Sequence, residues 1–146
     1  MKSIVNNFIP FGKNQVACML FGWVFVRRSN LSDFDNKVEN HEKIHAVQYL
    51  EITFLSIAMQ LVFTLIFGKQ ILMLMWTSLV MYYNIYLIIY VALWLKWAYR
   101  GIRNTSYTSV HQAVIRNHCL EKEAYHNDDN LFYLNERPLF NFAKYI

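Results

Sequence analysis

The segment His41-Glu42-Lys43-Ile44-His45 carries the most specific chemistry in the chain. On a helix, residues four apart share a face, so His41 and His45 can offer imidazole nitrogens to one cation. Glu42 lies about 100° around the axis from His41. That offset suits a carboxylate that takes a proton from cation-activated water, rather than one that ligates the cation. Two imidazoles beside a general base point to Zn²⁺, which binds neutral His and lowers the pKa of a bound water to about 7.

A zinc centre with two His commonly takes a carboxylate as third ligand and keeps a fourth position open. Far along the chain stands Glu121-Lys122-Glu123-Ala124-Tyr125. Glu121 and Tyr125 share a helical face, and Glu123 points about 200° away from Glu121. With Tyr125 facing the site, Glu121 is the ligand and Glu123 a solvated surface carboxylate; Glu123 as ligand is the alternative. Gln48, one turn beyond His45, can support the site from behind. Arg116, His118, Tyr107, His111 and His126 are candidates for stabilising an oxyanion. Glu51 stands at the start of an apolar run, where a charge is costly unless it reaches water or a partner.

HEKIH followed by ExEAY resembles the gluzincin metallopeptidases, in which HExxH is completed by a Glu from a downstream ExxxD pattern. The resemblance implies peptide-bond hydrolysis with His41, His45 and Glu121 as zinc ligands and Glu42 as general base. Tyr125 stands where that family has Asp, so the support the Asp gives to a ligand His comes here from Tyr125 or is absent. Integral-membrane gluzincins of the heat-shock and CAAX-processing types also place membrane helices between HExxH and the Glu helix. A closer resemblance, to a group of small bacterial membrane proteins, rests on FVR (25–27), NHEKIHAVQ (40–48), RNHCLEKEAY (116–125) and the tail from NERPLF to AKYI. It covers most of the chain and carries no activity with it; residues 101–115 look like an insertion relative to that group.

The elements that must position these residues follow from the apolar pattern. Residues 52 to 95 contain one charged side chain, Lys69. Runs at 52–67 and 71–95, parted by Gly68-Lys69-Gln70, predict two membrane-crossing helices in a tight hairpin, since about 20 residues cross the hydrocarbon core. Trp94, Trp97 and Tyr99 suit the interfacial belt. Arg27, Arg28, Lys37 and Lys43 precede the hairpin, and Lys96, Arg100, Arg103 and Arg116 follow it, against Lys69 alone in the far turn. Basic residues collect on the cytoplasmic side, so both termini and the active site are expected there, at a bacterial-type inner membrane. No cleavable signal peptide is expected, because Lys2, Pro10, Gly12 and Lys13 come before any apolar run.

Val16 to Val26, rich in β-branched and aromatic residues with Gly22 inside, predicts two short strands or one bulged strand. In zincins an edge strand above the metal pairs with extended substrate, and Met19 to Val26 is the expected edge. Asp33, Asp35 and Asn36 are candidate N-caps for a helix starting near Lys37 and running without Pro or Gly into the first span. His111 to Asn127 predicts one helix bearing Glu121. The tail LFNFAKYI is amphipathic and aromatic.

Composition agrees. Of 146 residues, 55% are hydrophobic and 16% charged, where a soluble domain runs nearer about 25% charged. The formal net charge of +4 is too modest to imply a nucleic-acid partner by itself, and none is expected. Cys18 and Cys119 stand far apart in no metal or redox spacing and are expected to be free thiols.

The expected fold is mainly α: a membrane helical hairpin extending from the HExxH helix, a small N-terminal β element and a C-terminal ligand helix, in a minimal zincin-like arrangement. Residues 1–146 form one membrane-embedded domain, divided into 1–36 (β element and turn), 37–67 (HExxH helix and first span), 71–95 (second span), 111–127 (Glu-ligand helix) and 128–146 (tail). The expected activity is a membrane-anchored Zn²⁺ metallopeptidase acting on a peptide or membrane-protein substrate, with the bilayer as partner and a homo-oligomer completing the cleft wall. A zinc-binding scaffold or sensor without hydrolysis, and a metal-free structural membrane protein, are the rival readings.

Overall fold

The computed structural model describes residues 3–10, 15–67, 71–102 and 106–146, with side chains of the second long helix from residue 76 onward. The fold is mainly helical, with a small sheet at the N-terminus. The chain divides into two compact units, one of Met1–Glu51 with Glu123–Asn141 and one of Ile52–Lys122 with Phe142–Ile146.

In the first unit, strands β1 (Ser3–Asn6), β2 (Ala17–Leu20) and β3 (Trp23–Arg27) form a sheet in the order β1-β3-β2. β2 and β3 are an antiparallel hairpin with Leu20 opposite Trp23. Phe21 and Gly22 form its two-residue turn with φ of 50° and 81°. Positive φ at both positions is what a turn matching strand twist requires, and Gly22 supplies it without steric cost. β1 pairs parallel to β3, a partner the sequence pattern did not reveal. β3 is therefore the central strand, bonded on both sides. The expected edge at Met19–Val26 is corrected: only the β2 half lies at an edge of the sheet. Ala17, Val24 and Val26 turn inward against Phe34 and Val38.

A 3-10 turn at Arg28–Asp33 leads to α1 (Asn36–Phe67), a helix of 32 residues. Asp35 caps it, its carboxylate accepting from the Val38 backbone N–H at 2.8 Å. α1 contains no Pro or Gly, so nothing interrupts it between the polar HExxH turns and the apolar run.

In the second unit, the apolar part of α1 lies beside α2 (Ile71–Arg100). Ser56 bonds Ser78 at 3.2 Å and Gln60 donates to Thr77 at 2.9 Å, so the two helices satisfy each other's polar groups. The expected turn at 68–70, with Lys69, lies outside the described residues, as do Lys2, Gly12, Lys13 and Arg103. Both helices are long and apolar enough to cross a membrane. Their apolar side chains are exposed: Leu65 is 85% and Ile88 68% accessible. α2 runs five residues past the expected end at 95 and stops before Gly101, whose φ of 68° suits a helix terminator.

The single helix expected over 111–127 is two: α3 (Val110–Asn117) and α4 (Cys119–Asn127). His118 breaks the run with an extended backbone at ψ 129°. The cause is tertiary. His118 is fully buried; its Nε2–H donates to the Tyr86 carbonyl at 3.1 Å, while Nδ1 accepts from the Leu120 N–H at 3.3 Å. Past α4, the chain forms a short α5 (Tyr133–Glu136) and a 3-10 turn at Asn141–Tyr145, neither of which the tail's composition disclosed.

Candidate metal centre

His41 and His45 stand one turn apart on α1, and their Nε2 atoms face each other at 3.1 Å. The proton on His45 is fixed by its neighbours. Gln48 Nε2 donates to Glu123 Oε2 at 2.8 Å. An ionised carboxylate only accepts, so this bond fixes the amide and turns Gln48 Oε1 toward His45 Nδ1, 2.8 Å away. Nδ1 therefore bears the hydrogen and Nε2 the lone pair, as a metal-ready imidazole requires.

His41 is set from the other side. Its Nδ1 lies 3.8 Å from the carboxylate of buried Asp128. A hydrogen on Nδ1 is favoured beside that carboxylate, which leaves the lone pair of His41 on Nε2 as well. The Tyr125 ring packs against the His41 ring, centroids 4.6 Å apart. Tyr125 thus faces His41, as the choice of Glu121 required. Two lone pairs 3.1 Å apart repel unless a proton or cation lies between them. Tetrahedral Zn²⁺ with Zn–N of about 2.0–2.1 Å would hold two such nitrogens roughly 3.4 Å apart, so the pair fits that ion.

Glu121 completes the group. One ligand atom from each of His41, His45 and Glu121 lies within 4.8 Å of the others, and the three could hold a metal ion. Glu121 is partly buried, and its Oε1 accepts from the Tyr86 hydroxyl at 2.9 Å. The Tyr86 ring in turn stacks on His118, centroids 4.2 Å apart.

Glu123 is not the solvated carboxylate its spacing suggested. It is fully buried. Arg137 donates to it through Nε at 2.6 Å, Tyr133 donates its hydroxyl at 2.6 Å, and Gln48 supplies a third donor. Burial alone would raise its pKa; the bonds from Arg137, Tyr133 and Gln48, with the Arg137 charge, outweigh burial and hold the carboxyl below its ordinary range. The remaining Arg137 nitrogens grip both oxygens of Glu51. That guanidinium is the partner Glu51 needed to be buried. Its own pKa would fall on burial, but the bonds to Glu51 and Glu123 raise it. Tyr133 is pushed up by burial and by its bond to Glu123.

Asn40, adjacent to His41, fixes α1 against the end of α4. Its amide donates toward the carbonyls of Asn127, Asp128 and Asn130 at 3.0–3.1 Å, at the end of α4 and in the turn that follows it.

Glu42 is half-buried and close enough to Cys18 of β2 for its charge to act on the thiol. Burial first, and the Glu42 charge second, push the Cys18 pKa up to about 11. The expected general base is therefore within electrostatic reach of Cys18 on the edge strand.

The expected oxyanion candidates lie in other settings. Both His118 nitrogens are used in the bonds to Tyr86 and Leu120. His111 bonds the Tyr90 hydroxyl at 2.8 Å, and Tyr107 accepts from Asn117 at 3.2 Å while packing on Trp97. Arg116 and His126 are exposed. Sequence reasoning missed Asn40, Tyr86, Glu123, Asp128, Tyr133 and Arg137 as contributors. One signal was available: Glu51, buried at an apolar boundary, demanded a cation, and Arg137 stands in a tail otherwise short of them. Compared with protein-family models, curated proteins and solved structures, the chain finds no match.

Proposed function

We propose that the protein is a membrane-anchored zinc metallopeptidase of gluzincin type. The observation that carries the reading is the pair of imidazole Nε2 atoms facing each other at 3.1 Å, with Glu121 completing a three-donor group and Glu42 beside them on the same helix. His41, His45 and Glu121 would hold Zn²⁺, which supplies Lewis acidity that polarises a peptide carbonyl and acidifies water. Glu42 takes a proton from the attacking water as its oxygen bonds to the carbonyl carbon. Glu42 then returns that proton to the amide nitrogen as the C–N bond breaks. A carboxylic acid and an amine result, the acid's remaining proton passes to the amine or to solvent, and the base is regenerated.

Cys18 of the edge strand β2 is within electrostatic reach of Glu42, and extended substrate backbone pairing with that strand would pass near the base. The α1–α2 hairpin spans the bilayer, with both termini on the cytoplasmic side by the distribution of basic residues. Substrates are peptides or membrane proteins.

The test is Glu42→Gln in protein purified in detergent and assayed on a broad peptide library. Hydrolysis is lost while one equivalent of zinc per chain remains bound. A chelator abolishes wild-type turnover and added Zn²⁺ restores it. Retained turnover in the variant eliminates the mechanism, and absence of stoichiometric zinc eliminates the metal.

A further inference from the structure

The β2–β3 hairpin ends in an aromatic tip that no part of the proposed chemistry uses. Phe21 and Trp23 are each 54% exposed, on either side of Gly22. The tip is held against α1 at one level: the Phe21 ring meets Tyr49 edge-on with centroids 6.3 Å apart, and a Cβ at Gly22 would lie 3.5 Å from the Tyr49 ring. Tyr49 is the last aromatic residue before the apolar run of α1 begins at Ile52, and its neighbour Leu50 is also exposed.

The Phe21–Tyr49 contact places the tip three residues before Ile52, about 4.5 Å along the helix axis from where α1 turns apolar.

We propose that this hairpin tip is seated in the lipid interface, as an anchor separate from the two spanning helices. The occupant is the bilayer because exposed Phe21 packs on Tyr49, three residues before the apolar run of the same helix opens at Ile52, and Leu50 between them is exposed. Trp and Phe at that depth have the chemistry of an interfacial belt. Arg27, at the far end of β3, lies about 13 Å along the strand from Trp23. The anchor fixes the height of the HExxH turns, since His45 is one helical turn above Tyr49 and about 6 Å from it along the axis. The inference rests on α1 crossing a bilayer and is independent of any metal.

The test uses the full chain in nanodiscs, with Trp76, Trp94 and Trp97 replaced by Phe so that Trp23 alone emits. Lipids brominated near the headgroup end of the acyl chain quench Trp23 strongly, and lipids brominated near the methyl terminus quench it less. In parallel, Phe63→Trp in a background lacking every other Trp reports on the span itself, since Phe63 is an exposed residue well inside the apolar run. Quenching of the residue-63 probe with none of Trp23 overturns the anchor and leaves the span standing. Quenching of neither overturns both. Should these variants fail to fold, a nitroxide at Phe21→Cys, with Cys18 and Cys119 replaced by Ser, gives the same decision. Relaxation by oxygen exceeding that by a water-soluble nickel chelate supports the anchor, and the reverse overturns it.

Discussion

Gln48 and Glu123, 75 residues apart, are joined by a buried hydrogen bond of 2.8 Å that decides which nitrogen of His45 carries the proton. The carboxylate accepts only, so the amide must turn its oxygen to His45 Nδ1. A bond between two residues outside the His41, His45 and Glu121 group thereby leaves a lone pair on the Nε2 of a third, within a group that could hold a metal ion.

Replacing Gln48 with Leu should remove that constraint while keeping a similar volume. Loss of such a partner typically costs 10–100-fold in metal affinity. Competition with a chromophoric chelator measures it; unchanged affinity would mean the His45 ring is held by its packing alone.

Arg137 sits between Glu51 and Glu123 with 2% of its side chain exposed. Removing the cation leaves two buried carboxylates facing each other. Arg137→Met is expected to cost about 3–5 kcal/mol, the usual penalty for breaking a buried ion pair on one side. Thermal unfolding in detergent should show a midpoint lower by on the order of 10 °C. Replacing Glu51 and Glu123 as well, with apolar residues, should recover part of that loss. No drop in the single variant would contradict the buried triad.

Cys18 offers a pH test of where Glu42 points. The thiolate is the nucleophile, and the folded protein raises this thiol from 9.0 to about 11. Alkylation of Cys18 in a Cys119→Ser background should be slow at pH 8 and accelerate toward pH 11. Because the folded value is the higher one, the stability gained by keeping the thiol neutral is complete below pH 9 and is lost as pH climbs through 11. Glu42→Gln removes the charge contribution, so alkylation at a given pH should be faster. An unaltered rate profile would place Glu42 away from β2.

Local patterns in the chain determined the two long apolar helices, strand structure within 16–26 and the spacing of His41, Glu42 and His45. Apolar length, β-branched content and the helical repeat act over a few residues, so they can be read without a partner. That Glu121 and not Glu123 stands with the two imidazoles in a group that could hold a metal ion was also legible, since two residues along a helix reverse the direction of a side chain. What Glu123 does instead was not legible, because its partners come from Gln48 on α1 and from Tyr133 and Arg137 beyond α4. The break at His118 was hidden for the same reason: nothing in residues 111–127 disfavours a continuous helix, and the carbonyl and ring of Tyr86, 32 residues away, are what that imidazole turns inward to meet. Burial of polar groups is settled by distant donors and acceptors, and their meeting is a property of the folded chain.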